Sequence, residues 1–84
     1  MMADKQKIFR LLKTARGQID GIIRMAEENR YCIDISTQLL ACQALLGTIN
    51  KEVLKAHLNS CVMNAQEDKE EKLREIASVL DKLL

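Results

Sequence analysis

The chain has 84 residues, with 13 basic and 12 acidic side chains, no Pro or Trp, and a single Phe and Tyr. That length allows one domain, 1–84, whose core is small without partner chains or cross-links. The composition argues against a sheet or an aromatic-rich pocket and favours long helices. No uninterrupted run of about 18 apolar residues marks a membrane span, and residues 1–7 lack the apolar centre of a secretory signal. Three cysteines are an odd number for a disulfide framework. Together these features predict a cytoplasmic chain whose thiols serve packing, metal binding or redox chemistry. The net charge of +1 conceals an asymmetry: residues 1–25 carry six basic and two acidic side chains, residues 62–84 four and six. A polyanion-binding surface therefore belongs near the start of the chain.

Ile8, Leu11, Leu12, Ala15, Ile19, Ile22, Ile23 and Ala26 recur at three- and four-residue steps and predict an amphipathic first helix. Lys5, Lys7, Arg10, Lys13, Arg16 and Arg24 fan out over its remaining circumference. Gly17 and Gly21 weaken this helix but would permit close approach of a neighbouring helix or backbone. Asn29-Arg30-Tyr31 reads as the turn that ends it. Next, Cys32, Ile35, Leu39, Cys42, Leu46, Ile49, Val53 and Ala56 alternate steps of three and four, a heptad seam. A helix from near Cys32 to about Asn64 would be roughly 45–50 Å long. One chain cannot cover such a helix, so the seam predicts a partner helix from a second copy. Residues 66–71 read as a charged connector, and Leu73, Ile76, Val79, Leu80 and Leu83 as a short third helix. The predicted fold is all-α: a three-helix protomer with a long central helix, pairing as an antiparallel helical dimer.

His57 and Cys61 stand four residues apart on one helical face, where an imidazole nitrogen and a thiolate can grip one metal ion. Both also suit plainer roles, Cys61 as a packed thiol and His57 as a polar residue beside the seam. Cys32 lies 25 residues before His57, roughly 37 Å along a continuous helix, so the two cannot bind one ion within a chain. In an antiparallel pair, Cys32 of one protomer meets the His57 and Cys61 end of its twin. Two thiolates and an imidazole form a soft, low-coordinate set that favours Cu(I), one ion per protomer shared between two chains. Zinc would ordinarily take a fourth ligand. Cys42 lies inside the heptad run and reads as a packed thiol, and Met25 and Met63 as core.

Arg16-Gly17-Gln18, Asp20-Gly21-Ile22, Arg24-Met25, Glu27-Glu28, Tyr31-Cys32-Ile33-Asp34, Gln38, Ala41, His57-Leu58 and Cys61-Val62 follow in order the motifs of a known family. The chain resembles the CsoR/RcnR/FrmR repressors over nearly its whole length, and the copper-sensing CsoR branch most. The resemblance implies an all-helical homotetramer, a dimer of dimers, that binds operator double-stranded DNA without a helix-turn-helix. Inducer binding then releases the DNA and derepresses efflux or detoxification genes. Cys32, His57 and Cys61 match the Cys-His-Cys metal set of the copper sensors. Tyr31 and Glu75 resemble the pair that hydrogen-bonds with the histidine ligand there. The resemblance places DNA contacts on the basic first helix, where Arg10, Lys13 and especially Arg16 stand, and on Lys51 of the second. Such side chains neutralise phosphates and release counterions, which makes binding salt-dependent. Leu11 departs from the pattern, standing where copper sensors often carry a basic residue.

Two other readings stay open. A persulfide sensor of the same family would link Cys32 and Cys61 through sulfur, with His57 as an activating base. A cytosolic copper buffer, or a helical adaptor using the seam, would bind no DNA. Enzymatic function is disfavoured by one His, no Gly-rich phosphate loop and no convergent carboxylates.

Overall fold

The computed structural model describes residues 1, 3–63 and 69–83, with the backbone only of residues 61–63. It contains three helices in chain order: α1 (Lys5–Glu27), α2 (Cys32–Met63) and α3 (Lys69–Leu83). Asp4 starts α1 by accepting from the backbone N–H groups of Gln6 and Lys7, at 3.0 and 3.3 Å. These are two of the donors that a helix start leaves without partners. The other end closes with a left-handed residue, Asn29 at φ 54°. Arg30 N–H donates to Met25 O at 3.0 Å and Asn29 N–H to Ala26 O at 3.2 Å, the paired reversal of a Schellman turn. The turn read from Asn29-Arg30-Tyr31 is where the chain reverses.

Helix α2 has 32 residues, about 48 Å at 1.5 Å per residue, which fits the 54 Å long axis of the molecule. Along it, Thr37 and Thr48 keep their hydroxyls satisfied by donating to the carbonyls of Ile33 and Ala44, four residues back. Over Cys32–Ser60 the helix is, by length and composition, apolar enough to cross a membrane. This differs from the expectation drawn from uninterrupted apolar runs. Its apolar residues are spread over several flanks and interrupted by polar ones, Ser36-Thr37-Gln38 and Asn50-Lys51-Glu52 among them, so no continuous run exists. The charged run after the second helix differs too. Glu70 and Glu71 form the first turn of α3, where carboxylates suit the positive end of the helix dipole. Of the other proposed connector residues, Lys69 is the first residue of α3, and 66–68 lie outside the described ones.

Helices α1 and α3 each pack on α2, and among the described residues they do not pack on each other. The three therefore lie side by side in a slab whose shortest dimension is 12 Å, about the diameter of one helix. The radius of gyration is 16.7 Å, against about 12 Å for a compact domain of this length. A single layer encloses little. Ile8 and Ala15 of α1, Cys42 and Ile49 of α2 and Ile76 of α3 are the buried apolar residues, and no large side chain is fully buried among the described ones. Gln18 also leaves its Oε1 buried without a hydrogen-bond partner, which costs roughly 1–3 kcal/mol.

The seam on α2 splits between two neighbours. Cys42 and Ile49 are buried, whereas Leu39 and Leu46 are 48% and 44% exposed. At about 100° per residue, a position three before a core residue lies some 60° to one side and a position three after lies 60° to the other. Leu39 and Leu46 thus occupy one flank of α2, and Glu52, three after Ile49, the opposite flank. On α1, Leu12, Ile19 and Ile23 fall to one side of the Ile8–Ala15 line and Lys7 to the other. Lys7 Nζ touches Glu52 Oε2 at 3.3 Å, so those two flanks share one broad face of the slab. The opposite broad face then carries Leu12, Ile19 and Ile23 from α1 with Leu39 and Leu46 from α2, each 43–49% exposed. Among the described residues Gly17 and Gly21 meet no close neighbour from another helix. Nothing lies within 4 Å of a Cβ at Gly17, and only an Arg24 nitrogen at 4.0 Å of one at Gly21.

Candidate functional site

Cys32 is the first residue of α2 and is exposed. Tyr31, immediately before it, is 68% exposed, and its carbonyl accepts from Ile35 N–H at 3.2 Å, which opens the helix. Cys32 stands seven residues before Leu39, so it lies at the head of the open apolar flank. His57, four residues after Val53, falls on that same flank at the far end. The structure therefore places both candidate ligands on this flank, Cys32 at its open end and His57 at the end that α3 partly covers, roughly 37 Å apart along the axis. Cys61 is helical, but its side chain lies outside the described residues, as does that of Met63. Among the described residues no group of three or more His, Cys, Asp or Glu side chains comes together to hold a metal.

His57 is half-buried and lines a shallow pocket of about 170 Å³ with Leu54, Glu75, Ile76 and Val79. Helix α3 thus brings Glu75 beside His57 within one protomer. Tyr31 is separated from them by the length of α2. On the outer side of α2, Lys51, Leu54, Lys55, Leu58, Ile76 and Leu80 line a groove of about 190 Å³. Leu54 and Ile76 form walls of both cavities.

The four candidate DNA-contacting residues, Arg10, Lys13, Arg16 and Lys51, are all exposed, but one protomer does not gather them into one patch. Arg10, Lys13 and Arg16 follow at three-residue steps and so spread over about 120° of the outer surface of α1. Arg10 and Lys51 emerge on the side of the Lys7–Glu52 contact. Arg16 emerges at the edge of the apolar face, where with Phe9, Leu12 and Lys13 it lines a shallow hollow. Sequence reading missed the Lys7–Glu52 pair. Its two residues are 45 positions apart, and neither helix's own spacing signals a contact with the other. Cys42 is buried at 5% exposure, a thiol packed between helices.

Residues 4–82 match the family model described as metal-sensitive transcriptional repressor. The chain is 47% identical over 57 residues to the copper-sensing transcriptional repressor CsoR of Mycobacterium ulcerans, a match covering 68% of this chain and 49% of that protein. It thus spans about half the length of that relative. The copper-sensing repressor CsoR with Cu(I) from Geobacillus thermodenitrificans superposes with a TM-score of 0.82 at 37% identity, covering 98% of this chain and 91% of that one. The nickel-responsive transcriptional regulator InrS superposes with a TM-score of 0.81 at 29% identity, covering 100% and 97%.

Proposed function

Since this chain belongs to the CsoR/RcnR/FrmR family of metal-sensing repressors, non-catalytic regulators, and is closely related to its CsoR branch, we propose that it is a cytoplasmic Cu(I)-responsive repressor. It binds operator DNA in the metal-free form and lets go when the metal is captured. The observation that carries this reading is the placement of Cys32 and His57 at opposite ends of one apolar flank of α2 whose middle, Leu39 and Leu46, is exposed. A second copy laid antiparallel over that flank brings Cys32 of one protomer to His57 and Cys61 of the partner subunit. Two such sites arise per dimer, and a dimer of dimers carries four.

The donor set fits the ion. Two thiolates and an imidazole are soft donors suited to low-coordinate Cu(I), which supplies only the bridge between the two chains. His57 supplies the link to the rest of the protomer. Glu75 shares its pocket and holds its orientation, with Tyr31 completing the hydrogen-bonding set from the other end of a neighbouring α2. A change in the set of His57 moves α3 through Glu75. Because Leu54 and Ile76 line both the His57 pocket and the Lys51 groove, that shift reaches Lys51. Arg10, Lys13 and Arg16 on α1 make the remaining phosphate contacts, drawn from several protomers because one does not cluster them. Coupling of this kind changes affinity by roughly 5- to 150-fold.

The test is an anaerobic Cu(I) titration against a chromogenic competing chelator, with Cys32→Ala and His57→Ala beside the parent. One tightly bound Cu(I) per protomer, lost in Cys32→Ala and weakened in His57→Ala, supports the shared site. Failure of the parent to outcompete a weak chelator overturns the copper assignment and leaves persulfide chemistry at Cys32 and Cys61 as the family alternative. Operator affinity unchanged by stoichiometric Cu(I) makes the chain a copper buffer.

A further inference from the structure

On the basic side of the α1–α2 hairpin, a carboxylate of α2 meets a lysine of α1 across the seam. Glu52 of α2 reaches across to Lys7 of α1, with Oε2 and Nζ 3.3 Å apart and the two side chains 37% and 43% exposed. At about 100° per residue, Arg10 on α1 and Lys51 and Lys55 on α2 emerge further round on this same side. The pair does little for folding, because half-exposed ion pairs contribute about 0–1 kcal/mol. Its effect on a polyanion is larger in proportion. Each Lys that neutralises a phosphate contributes roughly 0.9 to the slope of log affinity against log salt. A Lys already matched by a carboxylate contributes little, and the carboxylate itself repels the phosphates.

We propose that Glu52 is a built-in competitor for DNA: its carboxylate occupies Lys7 as a phosphate would and holds the affinity of the basic side below what its lysines and arginines can reach. The proposal rests on the DNA-binding reading above and adds Lys7 to the residues that touch the duplex, with Glu52 as the residue that sets how strongly it does so. Lys7 exchanges its carboxylate partner for a phosphate oxygen when DNA arrives. The net change in binding is therefore one ion pair traded for another, with Glu52 left facing solvent and its counterions. A detachable repressor gains from this arrangement, since binding that is too tight resists release.

The experiment is fluorescence anisotropy with a labelled mixed-sequence duplex of about 40 base pairs, over salt from about 20 to 200 mM. The metal-free parent is compared with Glu52→Gln, Lys7→Gln and the double variant, and circular dichroism checks that helix content is equal in all four. Glu52→Gln is expected to bind about fivefold tighter at low salt, with a steeper salt slope, and most of that gain is expected to vanish when Lys7 is also replaced. Unchanged or weaker binding by Glu52→Gln overturns the proposal, because a carboxylate that merely braces the two helices would give that result. An equal gain in the Lys7→Gln background overturns it as well, since Glu52 would then act only as a distant negative charge. A parent that does not bind the duplex at low salt brings down the DNA-binding reading itself, and this proposal with it.

Discussion

Asp4 and Asn29 fix the two ends of α1 by different means. Asp4 accepts from two backbone N–H groups, whereas Asn29 takes a left-handed conformation that most side chains resist. Asp4→Ala should cost about 1 kcal/mol, read as a lowered midpoint in thermal melts followed by circular dichroism. The turn at Asn29 was legible because few residues enter that conformation readily and Asn is one of them. Cys42 was legible as a packed thiol from its place in the seam. The partner of Lys7 was not legible, because an ion pair between two helices depends on how they are set against each other, and neither helix's periodicity carries that. Cys61 enters the proposed site through its spacing from His57 and the family resemblance, since its side chain lies outside the described residues.

At the scale of the element, α2 is the helix whose role its own pattern described best. The seam from Cys32 to Ala56 predicted a partner helix. The structure divides it into a stripe covered by α1, containing Cys42 and Ile49, and a stripe left open, containing Leu39 and Leu46. Periodicity places both stripes on one side of the helix but does not say which neighbour covers which. For the same reason, the apolar content of Cys32–Ser60 reaches that of a membrane-spanning helix without any run that would mark one in the sequence. Helix α3 began earlier than its apolar spacing suggested, since Glu70 and Glu71 contribute to its first turn through charge and not through burial. If a second copy covers the open stripe, Leu39→Glu places a carboxylate in an apolar interface, where an unpaired charge is strongly disfavoured. Sedimentation should then show a shift toward monomer, with a lower melting temperature that no longer rises with protein concentration.

The whole molecule is a layer one helix thick, with its described buried residues divided between two seams: Ile8, Ala15, Cys42 and Ile49 where α1 meets α2, and Ile76 on α3. Length and composition had already indicated too little core for one chain, and the slab gives that shortage a direction. One broad face is apolar and carries Cys32 and His57, and the other carries the Lys7–Glu52 pair. Ile76→Val, which removes one methylene from the α3 side, should cost about 1 kcal/mol. Hydrogen exchange should show the loss in α3 and in the last turns of α2 near Leu54, while the amides of α1 keep their protection.

Among the described residues α1 and α3 do not touch, which makes α2 the common axle between them. Any signal that begins at one outer helix has to arrive at the other as a roll, slide or bend of that axle. Among the described residues one protomer offers no shorter route. Stiffness in the middle of α2 then governs how faithfully a displacement at one end is reproduced at the other. Gly47, midway between Cys32 and Met63, is the residue of α2 with the weakest helix preference, and nothing lies within 4 Å of its absent Cβ.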